Sequence, residues 1–386
     1  DLGLFFLATT QPDKLKDAPG GSAYISNDAT LLEKGKTVFA DNCARCHSSK
    51  LPDKAWTNFF SENGETSANY LEAWNSYWQW TKTDEFKQEM RRIAQRPDFL
   101  KDNFLSTDLR VPVTLLETNA NSTLASNGIA GNIWNDFTST TYKNLPSVGT
   151  ITVHDPYTSE PKPYAMPAGG RGYTRPPSLV SLWSTAPYLL NNSLGEFEWQ
   201  ATTDARMKSF TSGITELLWP ERRNGNGEFL TRSGKTAPGW IDRTTATSYL
   251  KIPAGFLPDF LQPTLPFLRT LKPNLVGEEG LTIGPIPKGT PINLLANIDL
   301  TQKSKLVKLV PTLVADLKKL PAGSTDKDAE AVFANAVQPL LAVNKSPDFV
   351  VNRGHYFGTD FLPESENEKP LTDEEKTALI EFLKTL

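Results

Sequence analysis

Apolar residues recur at helical spacing at both ends of the chain and lose that regularity over much of what lies between. Near the start, Leu31, Leu32, Gly35, Val38 and Phe39 fall on one helical face. Thr30 and Glu33 have the spacing of a capping box, so a helix is predicted to begin at Thr30 and run into Cys43. At the far end Ala378, Leu379, Phe382, Leu383 and Leu386 form a second stripe of the same period. Thr372 and Glu375 repeat the capping-box spacing there, and Asp373, Glu374 and Glu375 suit the positive end of a helix dipole.

The intervening pattern changes several times. Residues 1–29, rich in Pro, Gly, Ser and Asp, read as a loop or arm. Residues 56–105 read as helical and aromatic-rich, with Trp74, Tyr77, Trp78 and Trp80 close together. Residues 110–195 carry short β-prone runs around Leu115, Ile151 and Val153, set between Asn, Gly and Pro punctuation. Residues 196–300 hold many prolines and predict long surface connections with short elements. Helical periodicity returns at Leu306–Leu317, interrupted by Pro311, and at Ala329–Leu341. No internal repeat is visible. The fold class expected is mainly α with long irregular segments and minor β.

At 386 residues the chain can bury a sizeable core. A net charge of −4 carries no polybasic footprint, which argues against nucleic acid or anionic membrane as partner. The longest apolar run, Leu2 to Ala8, falls far short of the ~18 residues of a membrane span, so no transmembrane segment is expected. The chain starts at Asp1 rather than at methionine, as expected of a mature, trimmed or fragmentary product with any signal peptide or upstream domain out of view.

The chemistry concentrates in Cys43-Ala44-Arg45-Cys46-His47, which holds both cysteines of the chain in a C-x-x-C-H pattern. That spacing attaches a c-type haem: two thiols on one helical turn meet the two vinyl groups, and the next residue points at the iron. Zinc would need two more ligands in a chain with three histidines, and a thioredoxin-like dithiol would need a βαβ setting. Cys43, Cys46 and His47 are therefore expected to hold one covalent haem c, with a structural or redox dithiol as the alternative. In small cytochromes c the first and last helices cross beside the haem. The two end segments have that character, which predicts a split cytochrome c-like core: residues 30–55 with the attachment site, 344–386 with the distal-ligand loop and terminal helix, and 56–343 as a large insertion covering the haem.

The second axial ligand has few candidates. His355 lies between Gly354 and Gly358, which would allow close backbone approach to a flat macrocycle, and beside Tyr356 and Phe357, which could pack on its edge. Met166 precedes Pro167, the usual distal pattern of small cytochromes c, and is the alternative ligand. His154 reads as a β-turn histidine with Asp155, and Met90 and Met207 as helical core or surface residues. Arg171 and Arg175 flank Tyr173 in a glycine-rich loop, where they would pair with haem propionates or stand solvated. Gly169-Gly170-Arg171-Gly172 lacks the setting of a phosphate loop, and Asn224-Gly225-Asn226-Gly227-Glu228 reads as a plain turn rather than a calcium loop.

Two further stretches resemble the group of rubber oxygenases and dihaem cytochrome c peroxidases. One is Gly354-His355-Tyr356-Phe357-Gly358-Thr359, followed by Leu371-Thr372-Asp373-Glu374-Glu375-Lys376. The other is Arg175-Pro176-Pro177-Ser178-Leu179 with Leu182-Trp183-Ser184-Thr185-Ala186-Pro187-Tyr188-Leu189. The resemblance implies that His355 is the distal ligand of the haem held by His47. It also implies that Tyr173 to Tyr188, Trp183 included, forms a loop against the haem. Leu190 stands where the group's motif carries a histidine, and the chain has a single C-x-x-C-H where those relatives carry two haems. The chain thus resembles the electron-transferring half alone.

Two strong-field ligands leave iron saturated, fit for one-electron exchange rather than for binding oxygen or peroxide. The function expected is that of an extracytoplasmic monohaem c-type cytochrome, periplasmic or extracellular, passing single electrons between redox partner proteins as a subunit of a redox assembly. The alternative is an oxygenase- or peroxidase-like haem enzyme with an open iron site.

Overall fold

The computed structural model describes residues 2, 4, 5, 11–60, 69–125, 140–253, 276–277, 280–299, 301–321 and 323–386. Parts of the expected arm (1, 3 and 6–10), of the aromatic stretch (61–68) and of the proline-rich stretch (254–275, 278–279 and 300) lie outside the described residues.

Helices dominate and the sheets are small. The long helices among the described residues are α1 (Ala29–Asn42), α2 (Tyr70–Trp80), α3 (Asp84–Ala94), α4 (Thr203–Leu218), α5 (Lys303–Leu317), α6 (Asp326–Leu341) and α7 (Asp373–Leu383). Strands β1 (Val111–Pro112) and β4 (Tyr173–Thr174) pair antiparallel, as do β2 (Thr150–His154) with β3 (Pro161–Ala165) and β5 (Gly227–Leu230) with β6 (Thr236–Gly239). A three-stranded sheet has the order β7 (Ser248–Pro253), β9 (Gly280–Ile286), β8 (Val276–Gly277). Among the described residues no helix is long and apolar enough to cross a membrane.

The end helices meet. Gly35 brings α1 so close to α7 that a β-carbon there would fall 2.0 Å from the Ala378 carbonyl oxygen. Phe39 and Phe382 pack beside this crossing with ring centres 5.3 Å apart. The capping box at Thr372 forms as expected, with the hydroxyl accepting from Glu375 N–H and the Glu375 carboxylate accepting from Thr372 N–H. The start of α1 differs: Asp28, not Thr30, caps it, accepting from the N–H groups of Thr30 and Leu31. A carboxylate two residues nearer the loop satisfies two orphan donors at once, so the helix begins a residue earlier. Arg91 of α3 grips Asp41 near the other end of α1 through two hydrogen bonds of 2.7 and 2.5 Å.

Among the described residues there are two large apolar cores and a small cluster of Ala237, Tyr356 and Phe361. The first joins α1 and α7 to nearly everything up to Leu218, including Trp74, Tyr77 and Trp78 of α2. The second is built from residues between Phe229 and Val350, chiefly α5 and α6 against β9. The segment 56–343, expected as one insertion, is thus shared between both. Within the proline-rich stretch stands α4, a helix of 16 residues whose Met207, Phe210, Ile214 and Leu218 face the first core. Helix α5 runs through Pro311 without ending. Leu115, expected in a β-prone run, sits instead in a helical turn, Val113–Leu116. Met90 is buried in α3, and the 224–228 stretch leads from a turn into β5.

Candidate functional site

The turn that follows α1 gathers the cysteine motif. Cys43 N–H donates to Phe39 O at 2.9 Å, and His47 N–H donates to Cys43 O at 2.9 Å. Positions 43, 46 and 47 therefore share one side of a helical turn. Cys43, Cys46 and His47 line a cavity of about 320 Å³, and His355 lines it as well. The His47 and His355 ring centres are 6.3 Å apart. Leu116, Leu179, Ile214, Leu218, Phe357 and Leu383 make the surrounding wall strongly apolar.

His47 is oriented by a main-chain acceptor. Its Nδ1 lies 3.2 Å from Pro177 O, a carbonyl that can only accept and so favours the Nδ1–H tautomer, and the Leu105 carbonyl also acts on the ring. The Pro176–Ser178 segment is itself pinned: Ser106 Oγ donates to Pro176 O at 2.6 Å and Ser178 Oγ to Phe104 O at 2.6 Å.

His355 sits in a more demanding conformation. Its φ of 52° is in the left-handed region, next to Gly354 at 86°. A β-carbon at position 354 would lie 2.4 Å from the Glu117 carbonyl carbon, so only glycine fits there. His355 N–H donates to Leu116 O at 2.9 Å, while its buried Nδ1 has no hydrogen-bond partner. Arg223 donates to Asn352 O at 2.8 Å and Gly354 O at 3.0 Å; Arg353 pairs with Asp348 and donates to Glu117 O at 2.5 Å.

Electrostatics follow from the apolar wall. Burial pushes the Cys43 thiol up to about 12 and the Cys46 thiol up to about 11, against the lowering pull of Arg45. Burial also pushes His47 down to about 4, and His355 down to about 3 with His47 adding to the effect. At neutral pH the thiols are protonated and both imidazoles neutral. That is the reverse of a reactive dithiol, which needs a lowered thiol pKa. The two cysteines are unpaired, and among the described residues no group of three or more His, Cys, Asp or Glu side chains is arranged to hold a metal ion.

Arg45, inside the motif, is nearly fully buried and forms two hydrogen bonds to Glu368 at 2.7 and 2.9 Å. Its guanidinium lies over the Trp78 ring at 4.4 Å and the Phe357 ring at 5.1 Å. Tyr77 Oη donates to the Arg45 carbonyl at 2.9 Å, so the turn carrying the two cysteines is held from two sides.

The other expected site residues divide. The loop from Tyr173 to Tyr188 does line the cavity, through Thr174 to Leu179, Leu182, Thr185, Pro187 and Tyr188. Tyr173 itself turns away and packs on Tyr70 at 5.7 Å, and Trp183 donates from Nε1 to Asp13 O at 2.6 Å; neither lines the cavity. Arg175 does line it, but its guanidinium pairs with Asp108 and Thr107 O. Arg171 lies off the cavity, its Nε buried without a partner. Met166 is buried at the end of β3, also off the cavity, where its backbone carbonyl accepts from Ser147 Oγ. His154 ends β2 and its Nε2 meets Leu230 O at 3.0 Å. Gly358 approaches Leu371 rather than a ring, and Tyr356 stacks toward Phe361, leaving Phe357 as the neighbour of His355 on the cavity.

Arg45, Glu368 and Arg223 carry no sequence signal for these roles. The wall from α4 had one, the spacing of Met207, Phe210, Ile214 and Leu218, which the surrounding prolines obscure. No protein-family model, curated protein or solved structure matches this chain.

Proposed function

We propose that this chain is an extracytoplasmic monohaem c-type cytochrome that passes single electrons between redox partner proteins, as a subunit of a larger redox assembly. The observation that carries the reading is the convergence of Cys43, Cys46, His47 and His355 on one apolar cavity, with the two imidazoles facing across 6.3 Å. Metal–imidazole nitrogen bonds of about 2 Å put two ring centres sharing one ion roughly 6 Å apart, which this pair matches.

Each residue has a part in holding such a group. Cys43 and Cys46 would form the thioether links, from thiols kept protonated by burial. His47 would serve as proximal ligand through Nε2, its Nδ1 donating to Pro177 O in the way that metal-bound histidines are commonly oriented. His355 would serve as the second ligand. The Arg45–Glu368 pair places a matched charge beside the attachment turn, and the apolar wall keeps water from the ring. Held by Cys43, Cys46, His47 and His355, bound haem would supply a ferric–ferrous couple for one-electron exchange. The close crossing of α1 and α7 at Gly35, with Phe39 on Phe382, supports reading these helices as the two halves of a split cytochrome c core. Haem attachment to paired thiols is normally made outside the bacterial cytoplasm, which is the ground for a periplasmic or extracellular location.

A position for His355 opposite His47 favours electron transfer over oxygenase- or peroxidase-like chemistry, which needs an open iron. The test is the visible spectrum of the reduced protein before and after carbon monoxide, with a pyridine haemochrome assay on denatured protein. One covalent haem per chain and no response to carbon monoxide is the expected result. Absence of covalent haem removes the cytochrome reading, and a rapid Soret shift moves the enzyme reading ahead.

A further inference from the structure

We infer that Arg223 is the positioning residue of the distal histidine: its guanidinium spends all three nitrogens on main-chain carbonyls, two of them on the loop that carries His355. The inference rests on the reading of His355 as second ligand. Arg223 is 4% exposed. Its Nε donates to Glu216 O at 2.9 Å, and its two terminal nitrogens to Asn352 O at 2.8 Å and Gly354 O at 3.0 Å. Its planar face lies 4.8 Å from the centre of the Tyr356 ring.

The chemistry of this arrangement is unusual for a buried cation. Charges taken out of water are normally matched by a carboxylate. The neighbouring Arg353 follows that rule, with a bidentate hold on Asp348. The buried carboxylate of Glu216 acts on Arg223 by charge alone, its oxygens being hydrogen-bonded to Asn224. Arg223 is therefore held mainly by carbonyl dipoles, with the Tyr356 side chain as a further partner: Asn352 O and Gly354 O turn to the same side, with Glu216 O near the end of α4. The fork fixes that arrangement. His355 gains from such fixing, because a non-glycine residue at a φ of 52° sits in a sparsely populated region. Release of the two carbonyls lets the loop relax toward negative φ and swings the imidazole away from His47. Helix α4 supplies cavity wall through Ile214 and Leu218, so the same element shapes the pocket and, through Arg223 just beyond it, aims the ligand.

The experiment uses the full-length haem-loaded protein with Arg223→Gln, Arg223→Lys, and the exposed Arg92→Gln as control. For Arg223→Gln the expected result is an unchanged covalent haem content, a high-spin fraction in the ferric spectrum, and carbon monoxide binding where the wild type shows none. Added imidazole restores the low-spin spectrum of that variant, a rescue that general unfolding would not permit. Arg223→Lys, a cation able to reach fewer carbonyls, falls between the two, and it decides the matter if Arg223→Gln does not accumulate. A wild type inert to carbon monoxide together with equally inert Arg223 variants overturns this inference alone. A wild type without covalent haem, or open to carbon monoxide at once, overturns the parent reading with it.

Discussion

Gly35 of α1 lies against the main-chain carbonyl of Ala378 on α7, with room for a hydrogen and not for a methyl group. The contact joins two helices from opposite ends of the chain, and Phe39 seals it against Phe382.

Gly35→Ala tests that crossing. In an open helix the change would add about 1 kcal/mol through propensity. Here the added β-carbon meets a backbone oxygen that cannot rotate away, so the helices must part. The expected outcome is a net loss of about 2 kcal/mol, within the range for overpacked cores, seen as a lower urea midpoint at unchanged slope. A raised midpoint would show that the helices do not approach so closely.

The Arg45–Glu368 pair sets a second expectation. Both side chains are nearly inaccessible, at 2% and 7%. Glu368→Gln leaves a buried guanidinium without its counter-charge and should cost about 3 kcal/mol. Arg45→Met with Glu368→Leu removes both charges and should cost clearly less than the sum of the single changes. A double-mutant cycle from denaturant unfolding checks this, and additive single effects would mean that the two groups do not interact.

These two contacts also mark how far the sequence was legible. The end helices announced themselves through local periodicity and, at Thr372, through a capping box that forms as read. The meeting of Cys43, Cys46 and His47 on one cavity was legible in their spacing along one turn, and that of His355 in its glycine-flanked segment. Arg45 and Glu368 were not legible, since nothing local ties positions 323 residues apart. Helix α4 was hidden by a proline-rich setting, although its apolar spacing is regular. Asp28 displaced Thr30 as cap because two acceptable caps stood two residues apart, and the carboxylate accepts from two helix N–H groups at once. Tyr173 and Trp183 carry aromatic rings that satisfy the core as readily as a cofactor, and tertiary packing sent both to the core.

Met166→Ala separates ligand from core residue. Met166 is 3% exposed and packed in the first core away from the cavity. Its removal should leave the visible spectrum unchanged while lowering stability by about 3 kcal/mol, as for other buried methionines. Loss of a sulfur–iron charge-transfer band on this substitution would remove His355 from its proposed role.

Cys46→Ala bears on covalent attachment. With one thiol left, a single vinyl group stays unsaturated and conjugated with the ring, so the pyridine haemochrome band should move to longer wavelength without loss of all bound haem. A variant with the wild-type band would show that Cys46 forms no thioether.

Asp155 governs a pH dependence away from the cavity. It follows the last residue of β2, 5% exposed, and its carboxylate accepts from Lys162 Nζ at 2.8 Å, from Tyr157 N–H at 3.1 Å and from Thr158 N–H at 3.2 Å. Gln338 of α6 reaches the same carboxylate at 3.4 Å, tying the hairpin to the second core. Burial raises the Asp155 pKa, but these donors oppose it and prevail, bringing it from 3.8 down to about 2. A depressed carboxylate pKa contributes stability that is fully present above the unfolded value and lost as pH falls through the folded one. The shift corresponds to about 2 kcal/mol at neutral pH. Asp155→Asn should therefore lower the urea midpoint at neutral pH, by an amount constant down to about pH 5. The gap should then narrow through about pH 4 to 2, the window set by the two pKa values. A gap that keeps its full size at the acid end would mean that the donors favour the neutral carboxyl as much as the carboxylate, and that Asp155 carries no acid-linked stability.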